Sequence, residues 1–124
     1  MKVEKIDHVA ILVKDLEEAG KLFADLFGLE FSGPGEHKDL DVRNLTSSEG
    51  VDLITPLTPD GAMARTLNNR GEGFQLLSLR VANVAEATAE MKAKGIRQVG
   101  GSGTTLALFH PKDLHNVLIQ LIEH

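Results

Sequence analysis

The 124-residue chain predicts an α+β fold: two tandem β-α-β-β-β modules forming a curved eight-stranded cup. Three observations predict it. Displacing the sequence by 68 residues lays "HVAILVKDLEEA" (8–19) on "LLSLRVANVAEA" (76–87), and the same displacement lays "VDLIT" (51–55) on "IQLIE" (119–123). Each copy opens on an alternating strand that runs into a capped helix. Each then closes on short β-rich segments separated by turn residues. Residues 5–58 and 74–124 therefore read as two repeats within a single domain spanning 1–124, joined by 59–73.

The first strand is set by "KIDHVAILV", in which Val9, Ile11 and Val13 share one face and His8, Ala10 and Leu12 the other. Asp15 and Glu18 follow as a D-x-x-E helix start: the Asp side chain accepts from an orphan backbone N–H while the Glu reaches back. Leu16, Ala19, Leu22, Phe23 and Leu26 recur at helical spacing, and Gly28 ends the helix. "GLEFSG", "DLDVRNL" and "VDLITPL" supply three more strands, with "TSSEG" as a hairpin turn. A short helix is expected near Gly61–Asn68 in the connecting segment. In the second copy Leu77, Leu79 and Val81 take one face and Leu76, Ser78 and Arg80 the other. Asn83 and Glu86 repeat the cap, Val84, Ala87, Met91 and Ala93 form a weaker stripe, and Gly95 ends it. "GIRQV", "TTLALF" and "VLIQLI" complete the module, divided by the turns "GGSG" and "HPKDLHN". Phe23, Phe27 and Phe74 are expected in the core.

One helix covers only one face of a four-stranded sheet, so the other face must meet a neighbour or hold a ligand. His8 lies on that uncovered face, which makes it a pocket candidate. The bulk composition narrows the partners. A formal charge of −5, with no long run of Lys or Arg, disfavours nucleic acid and anionic membrane surfaces. No apolar run approaches the length of a bilayer span, and the N-terminus lacks the pattern of a signal peptide. The absence of cysteine excludes thiolate chemistry and a disulfide framework, and suits a cytoplasmic enzyme or binder. "GPGE" and "GGSG" are turns rather than phosphate loops, since no Lys-Ser/Thr follows either.

The stretches "IDHVAILVKDLEEA", "LITPLTPDGAMARTLNNRGEGF", "VANVAEATAEMKAKGIR" and "LFHPKDLHNVLIQL" resemble the vicinal oxygen chelate superfamily, which contains glyoxalase I, the bleomycin-resistance proteins and the extradiol dioxygenases. Within it, the resemblance is to the methylmalonyl-CoA epimerases. It implies a divalent metal held by one residue from each of four strands, stabilising an enolate-like charge on a chelated substrate. Carried across, the four positions are His8, Asp52, Leu76 and Gln120. Leu76 offers no lone pair, and Gln120 places a neutral amide where the pattern has Glu. No cofactor is therefore expected, with His8, Asp52 and Gln120 the only candidates for a weakly bound divalent ion. The epimerase pattern also implies two carboxylates exchanging one proton at an acidic carbon. An amide has no useful basicity near neutral pH, so Gln120 cannot be one of them. Asp41 in "DLDVRNL" is the counterpart of the other and the expected catalytic base.

Two functions follow from this reading. One is a lyase or isomerase acting on a small carbonyl or acyl-thioester compound, with Asp41 as base and His8, Asp52, Arg80 and Gln120 as substrate contacts. The other is a non-catalytic protein that sequesters a small molecule, in the manner of the bleomycin-resistance proteins. Both imply a small-molecule ligand and a homodimer. Plainer roles stand beside them: His8 as a hydrogen-bonded neutral imidazole, Arg80 as a solvated strand-edge residue, Asp41 paired with Arg43. His37, His110, His115 and His124 read as loop or terminal residues.

Overall fold

The computed structural model describes all 124 residues, Met1–His124. The elements run β1 (Lys5–Leu12), α1 (Leu16–Phe27), β2 (Phe31–His37), β3 (Val42–Ser47), β4 (Val51–Pro56), α2 (Ala62–Arg70), β5 (Gly73–Arg80), α3 (Val84–Ala93), β6 (Gln98–Gly100), β7 (Leu106–Phe109) and β8 (Ile119–Ile122), with a single 3₁₀ turn at Pro111–Asp113. This is β-α-β-β-β twice, with α2 inserted between the copies. Two compact units are formed, one of Val9–Gln75 and one of Met1–His8 with Leu76–His124, so that the boundaries pass through β1 and β5.

In the unit Val9–Gln75 the strands are ordered β2-β3-β4-β1, with β1 parallel to β4 and the other pairs antiparallel. A parallel pair needs a crossover connection, and here it begins with α1. That helix starts where the D-x-x-E signal places it: the Asp15 carboxylate accepts from the Glu18 N–H at 3.0 Å. It stops at Gly28, whose φ of 67° is the left-handed conformation a residue with a Cβ resists. Val13, Leu16 and Leu53 form the buried centre, with Ile11, Ala19, Phe23 and Leu45 packed around them. Helix and sheet approach closely at Gly20, where a Cβ would come within 2.7 Å of the Leu45 side chain.

In the other unit the order is β5-β8-β7-β6, again with one parallel pair, β5 with β8. Asn83 caps α3 by accepting from the Glu86 N–H at 2.9 Å. Val84, Ala87, Val81, Ala107, Phe109 and Leu121 make the core beneath it. The 68-residue displacement seen in the sequence reappears as strand register: Ala10 stands opposite Asp52 in the first unit and Ser78 opposite Gln120 in the second. His8 and Leu76 each lie one pleat earlier on the same faces of their strands.

The aromatic expectation needs correction. Phe23 packs on the first core, but Phe27 is 66% exposed and Phe74 51% exposed. Both occupy element ends, the last residue of α1 and the second of β5, where neighbouring side chains run out. Phe109, fully buried, fills the centre of the second core instead. No helix is long and apolar enough to cross a membrane.

Candidate functional site

The polar chemistry of the unit Met1–His8 with Leu76–His124 converges on a residue that the sequence reading passed over. Asp7 Oδ2 lies 2.7 Å from His8 Nδ1, while Asp7 Oδ1 lies 3.1 Å from Arg80 Nη2 and 2.8 Å from His124 Nε2. Burial pushes the Asp7 carboxyl up, but the hydrogen bonds from His8, Arg80 and His124 outweigh it and hold the group below its ordinary value. An ionised carboxylate only accepts hydrogen bonds, so His8 Nδ1 and His124 Nε2 are the donors here. The ring of His8 is thereby held in one orientation by an adjacent anion, a common device for a working imidazole. Arg80, a candidate anion contact, is half-buried and commits one Nη to Asp7 rather than standing as a solvated edge residue.

Gln120 and Ser78 form the second feature of this unit. The Gln120 side chain is 3% exposed and its Nε2 donates to Ser78 Oγ at 2.8 Å, with Ser78 itself fully buried. The register explains the contact, since the two residues face one another across the parallel pair. Leu76, which the family resemblance sets at the third ligand position, is buried with the apolar residues. Removing the acceptor by Ser78→Ala strands a buried amide donor and is expected to cost about 1–3 kcal/mol in urea unfolding. Ser78→Ala with Gln120→Leu, which removes both partners, is expected to recover most of it.

In the unit Val9–Gln75, Asp52 is a buried carboxylate on β4. Asp41 sits just before β3 in a left-handed conformation, φ 56°. Its Oδ1 accepts from Thr58 twice, from the N–H at 3.1 Å and from Oγ1 at 2.7 Å, and its carbonyl accepts from the Leu57 N–H at 3.0 Å. Oδ2 is buried, makes no hydrogen bond, and lies over Gly61 at the start of α2. Asp41 therefore joins the β3 start to the segment leading into α2. Its carboxylate is bound to Thr58, while Arg43 is exposed opposite Thr55. Gln75 accepts from Arg70 Nη2, and His110 Nδ1 accepts from the Lys112 N–H in the 3₁₀ turn.

This donor set does not fit a tight transition-metal cage. Leu76 brings no lone pair and lies in the core, and the Gln120 amide is engaged with Ser78. Asp7 and Ser78 are the residues missed from sequence. Asp7 was signalled by a charge placed directly before His8 in an otherwise apolar strand, and Ser78 by the repeat that sets it opposite Gln120.

Comparison with known proteins adds the lineage. Residues 7–109 match the model of the glyoxalase/bleomycin resistance protein/dioxygenase superfamily. The chain is 30% identical to the mitochondrial methylmalonyl-CoA epimerase of Homo sapiens, over 94% of this chain and 72% of that protein. It superposes on the crystal structure of methylmalonyl-CoA epimerase from Mycobacterium tuberculosis with a TM-score of 0.87 at 29% identity, covering 98% of this chain and 88% of that one. A Streptomyces coelicolor methylmalonyl-CoA epimerase in complex with 2-nitronate-propionyl-CoA gives 0.88 at 26% identity, with 98% of each chain covered.

Proposed function

The chain belongs to the glyoxalase/bleomycin resistance protein/dioxygenase superfamily, and from that premise we propose that it is an epimerase-like isomerase or lyase of a small carbonyl or acyl-thioester compound, working without a full metal cage. The observation that carries this reading is the Asp7–His8 pair: the first inherited site position keeps its imidazole, and a carboxylate still orients it. The likeness to methylmalonyl-CoA epimerases over nearly the whole chain supports the thioester class. Removing a proton beside a thioester carbonyl needs a base and a partner for the developing oxyanion. The reading assigns the base to Asp41. A single base supports one-base isomerisation or elimination rather than two-base epimerisation. In the unit that holds them, His8, Arg80 and Gln120 are assigned to substrate contacts, and Asp52 is assigned the same role in the other unit. The reading also takes residues 1–124 as one domain of two repeats, 5–58 and 74–124, acting as a cytoplasmic homodimer.

The test is exchange of substrate hydrogen. Methylmalonyl-CoA incubated with the protein in deuterium oxide is expected to gain deuterium at its α-carbon, read by mass spectrometry. Asp41→Asn is expected to abolish the exchange and leave the fold intact, because Asn Oδ1 still accepts from Thr58 and Asn tolerates a left-handed backbone. Unchanged exchange in Asp41→Asn removes Asp41 from the chemistry. Stoichiometric zinc, cobalt or nickel in protein purified without a His tag would overturn the metal-poor reading. One observation favours a second function, sequestration of a small molecule: Asp41 has one oxygen taken by Thr58 and the other pressed against Gly61. A ligand-dependent thermal shift with no exchange is the result that reading expects.

A further inference from the structure

We infer that the open cleft between the end of α3 and the edge strand β6 receives the phosphorylated nucleotide end of an acyl-thioester substrate. The inference rests on the thioester reading proposed above and gives that substrate a second point of attachment. Residues 91–112 hold four of the chain's 13 Lys and Arg, namely Lys92, Lys94, Arg97 and Lys112, and none of its 18 Asp and Glu. A chain of net charge −5 thus concentrates positive charge in one segment, whose field draws anions to it. A cleft of about 590 Å³ opens there, with Lys92, Gly95, Arg97, Gly100 and Gly101 in its wall and no acidic residue. Lys92 makes no ion pair. Arg97 is fixed in place: Asp113 accepts from its Nε, its Nη2 and its backbone N–H, each at 3.0 Å, which leaves Nη1 to donate to a ligand. A helix C-terminus repels anions through its unsatisfied carbonyls, but here those of Glu90, Met91 and Lys92 accept from the N–H groups of Lys94, Ile96 and Gly95.

Two glycines connect the cleft with the face that carries Gln120. Gly100 lies in β6 without a positive φ, and a Cβ there would meet only Leu108, at 3.6 Å, an ordinary contact. Neither backbone nor packing demands glycine at 100, and a glycine weakens a strand. What such a position gains is close approach of another molecule. Gly101, by contrast, is required by the fold, since its φ is 80° and a Cβ would lie 2.5 Å from the Leu106 carbonyl oxygen. Together they leave the sheet edge bare of side chains at two successive residues. Gly100 stands opposite Leu108, and Leu108 opposite Gln120, which puts Gly100 about 10 Å from Gln120 at the usual strand spacing. The pantetheine arm of an acyl-CoA is longer than that. With its phosphates held at Lys92 and Arg97, the arm can round the β6 edge over Gly100 and bring the thioester toward Gln120. A free nucleotide would use the cleft but not the bare edge, so the two features together favour the armed ligand.

Titration calorimetry with coenzyme A, pantetheine and adenosine 3′,5′-bisphosphate tests the assignment. The wild-type chain is expected to bind coenzyme A about tenfold more tightly than pantetheine, which lacks the phosphorylated nucleotide, and to lose that margin as salt is added. Lys92→Glu with Lys94→Glu, both at exposed positions, is expected to erase the difference with an unchanged circular dichroism spectrum. Gly100→Ala is expected to weaken coenzyme A about threefold and to leave adenosine 3′,5′-bisphosphate, which has no arm, as it was. Equal affinity of the wild-type and charge-reversed chains for coenzyme A overturns the cleft. A Gly100→Ala chain that weakens neither ligand, or both alike, overturns the route over the edge. A wild-type chain that does not bind coenzyme A overturns the whole inference. The deuterium exchange assay, run with methylmalonyl-pantetheine, judges the epimerase-like chemistry separately.

Discussion

Replacing Phe109 by alanine is expected to cost about 3–5 kcal/mol, enough to remove a large share of the stability of a domain that holds about 5–15 kcal/mol in total. The ring is fully buried among Val81, Val84, Ala87, Ala107 and Leu121, which come from β7, β8, α3 and the segment before that helix, so no one element can collapse to fill the void. The midpoint of thermal unfolding is expected to fall by about 10–25 °C. Val3→Ala, at an exposed position ahead of β1, is the control and is expected within about 0.5 kcal/mol of wild type. The consequence reaches the candidate site as well. Phe109 stands opposite Ile119 in the β7–β8 ladder, one residue from Gln120. Loosening this core frees the strand that carries Gln120, and the Gln120–Ser78 bond is expected to weaken with it. A loss below about 1 kcal/mol would mean that this core does not hold the second module together.

Why Phe109 was not legible in the sequence, while the architecture was, comes down to the range of the signals. Alternation in "HVAILV" and "LLSLRV", and cap residues three apart, are local patterns that the backbone must honour wherever the segment sits. The structure keeps them at Asp15 and Asn83. The repeat carries longer-range information because both copies solve the same pairing problem. That is why the same displacement that relates the two copies in sequence also relates the two observed registers, Ala10 with Asp52 and Ser78 with Gln120. Aromatic burial has no such periodic signature. Phe27 and Phe74 lie in apolar surroundings along the chain but at element ends in space, whereas Phe109 borders a polar turn and sits at the centre. Asp7 was hidden for a related reason. Two of its three partners, Arg80 and His124, are 73 and 117 residues away, and only folding brings β5 and the C-terminus to the start of β1.

The second large effect is expected at Gly61, and it bears on what Asp41 is for. Gly61 has φ −80° and ψ −179°, an extended conformation open to any residue, so its requirement is for space rather than backbone freedom. A Cβ there would lie 1.9 Å from Asp41 Oδ2 and 2.7 Å from Thr58 Oγ1. Alanine at 61 must displace the carboxylate. That displacement forfeits the two hydrogen bonds from Thr58 that hold the β3 start to the entry of α2. Bonds to a charged group contribute about 1.5–3 kcal/mol each, and partial relaxation brings the expected cost of Gly61→Ala to about 2–4 kcal/mol. A double-mutant cycle separates this cause from a general disturbance of the turn. Asp41→Gly removes the obstructing carboxylate and suits the left-handed φ, so Gly61→Ala is expected to add little in that background. An equal cost in both backgrounds would show that the clash is not with Asp41. Asn at 41 preserves the Thr58 acceptor but not its charge, so Asp41→Asn is expected to lose about 1–2 kcal/mol in urea and remain folded, and any loss of deuterium exchange in the folded variant belongs to the missing carboxylate and not to a collapsed turn.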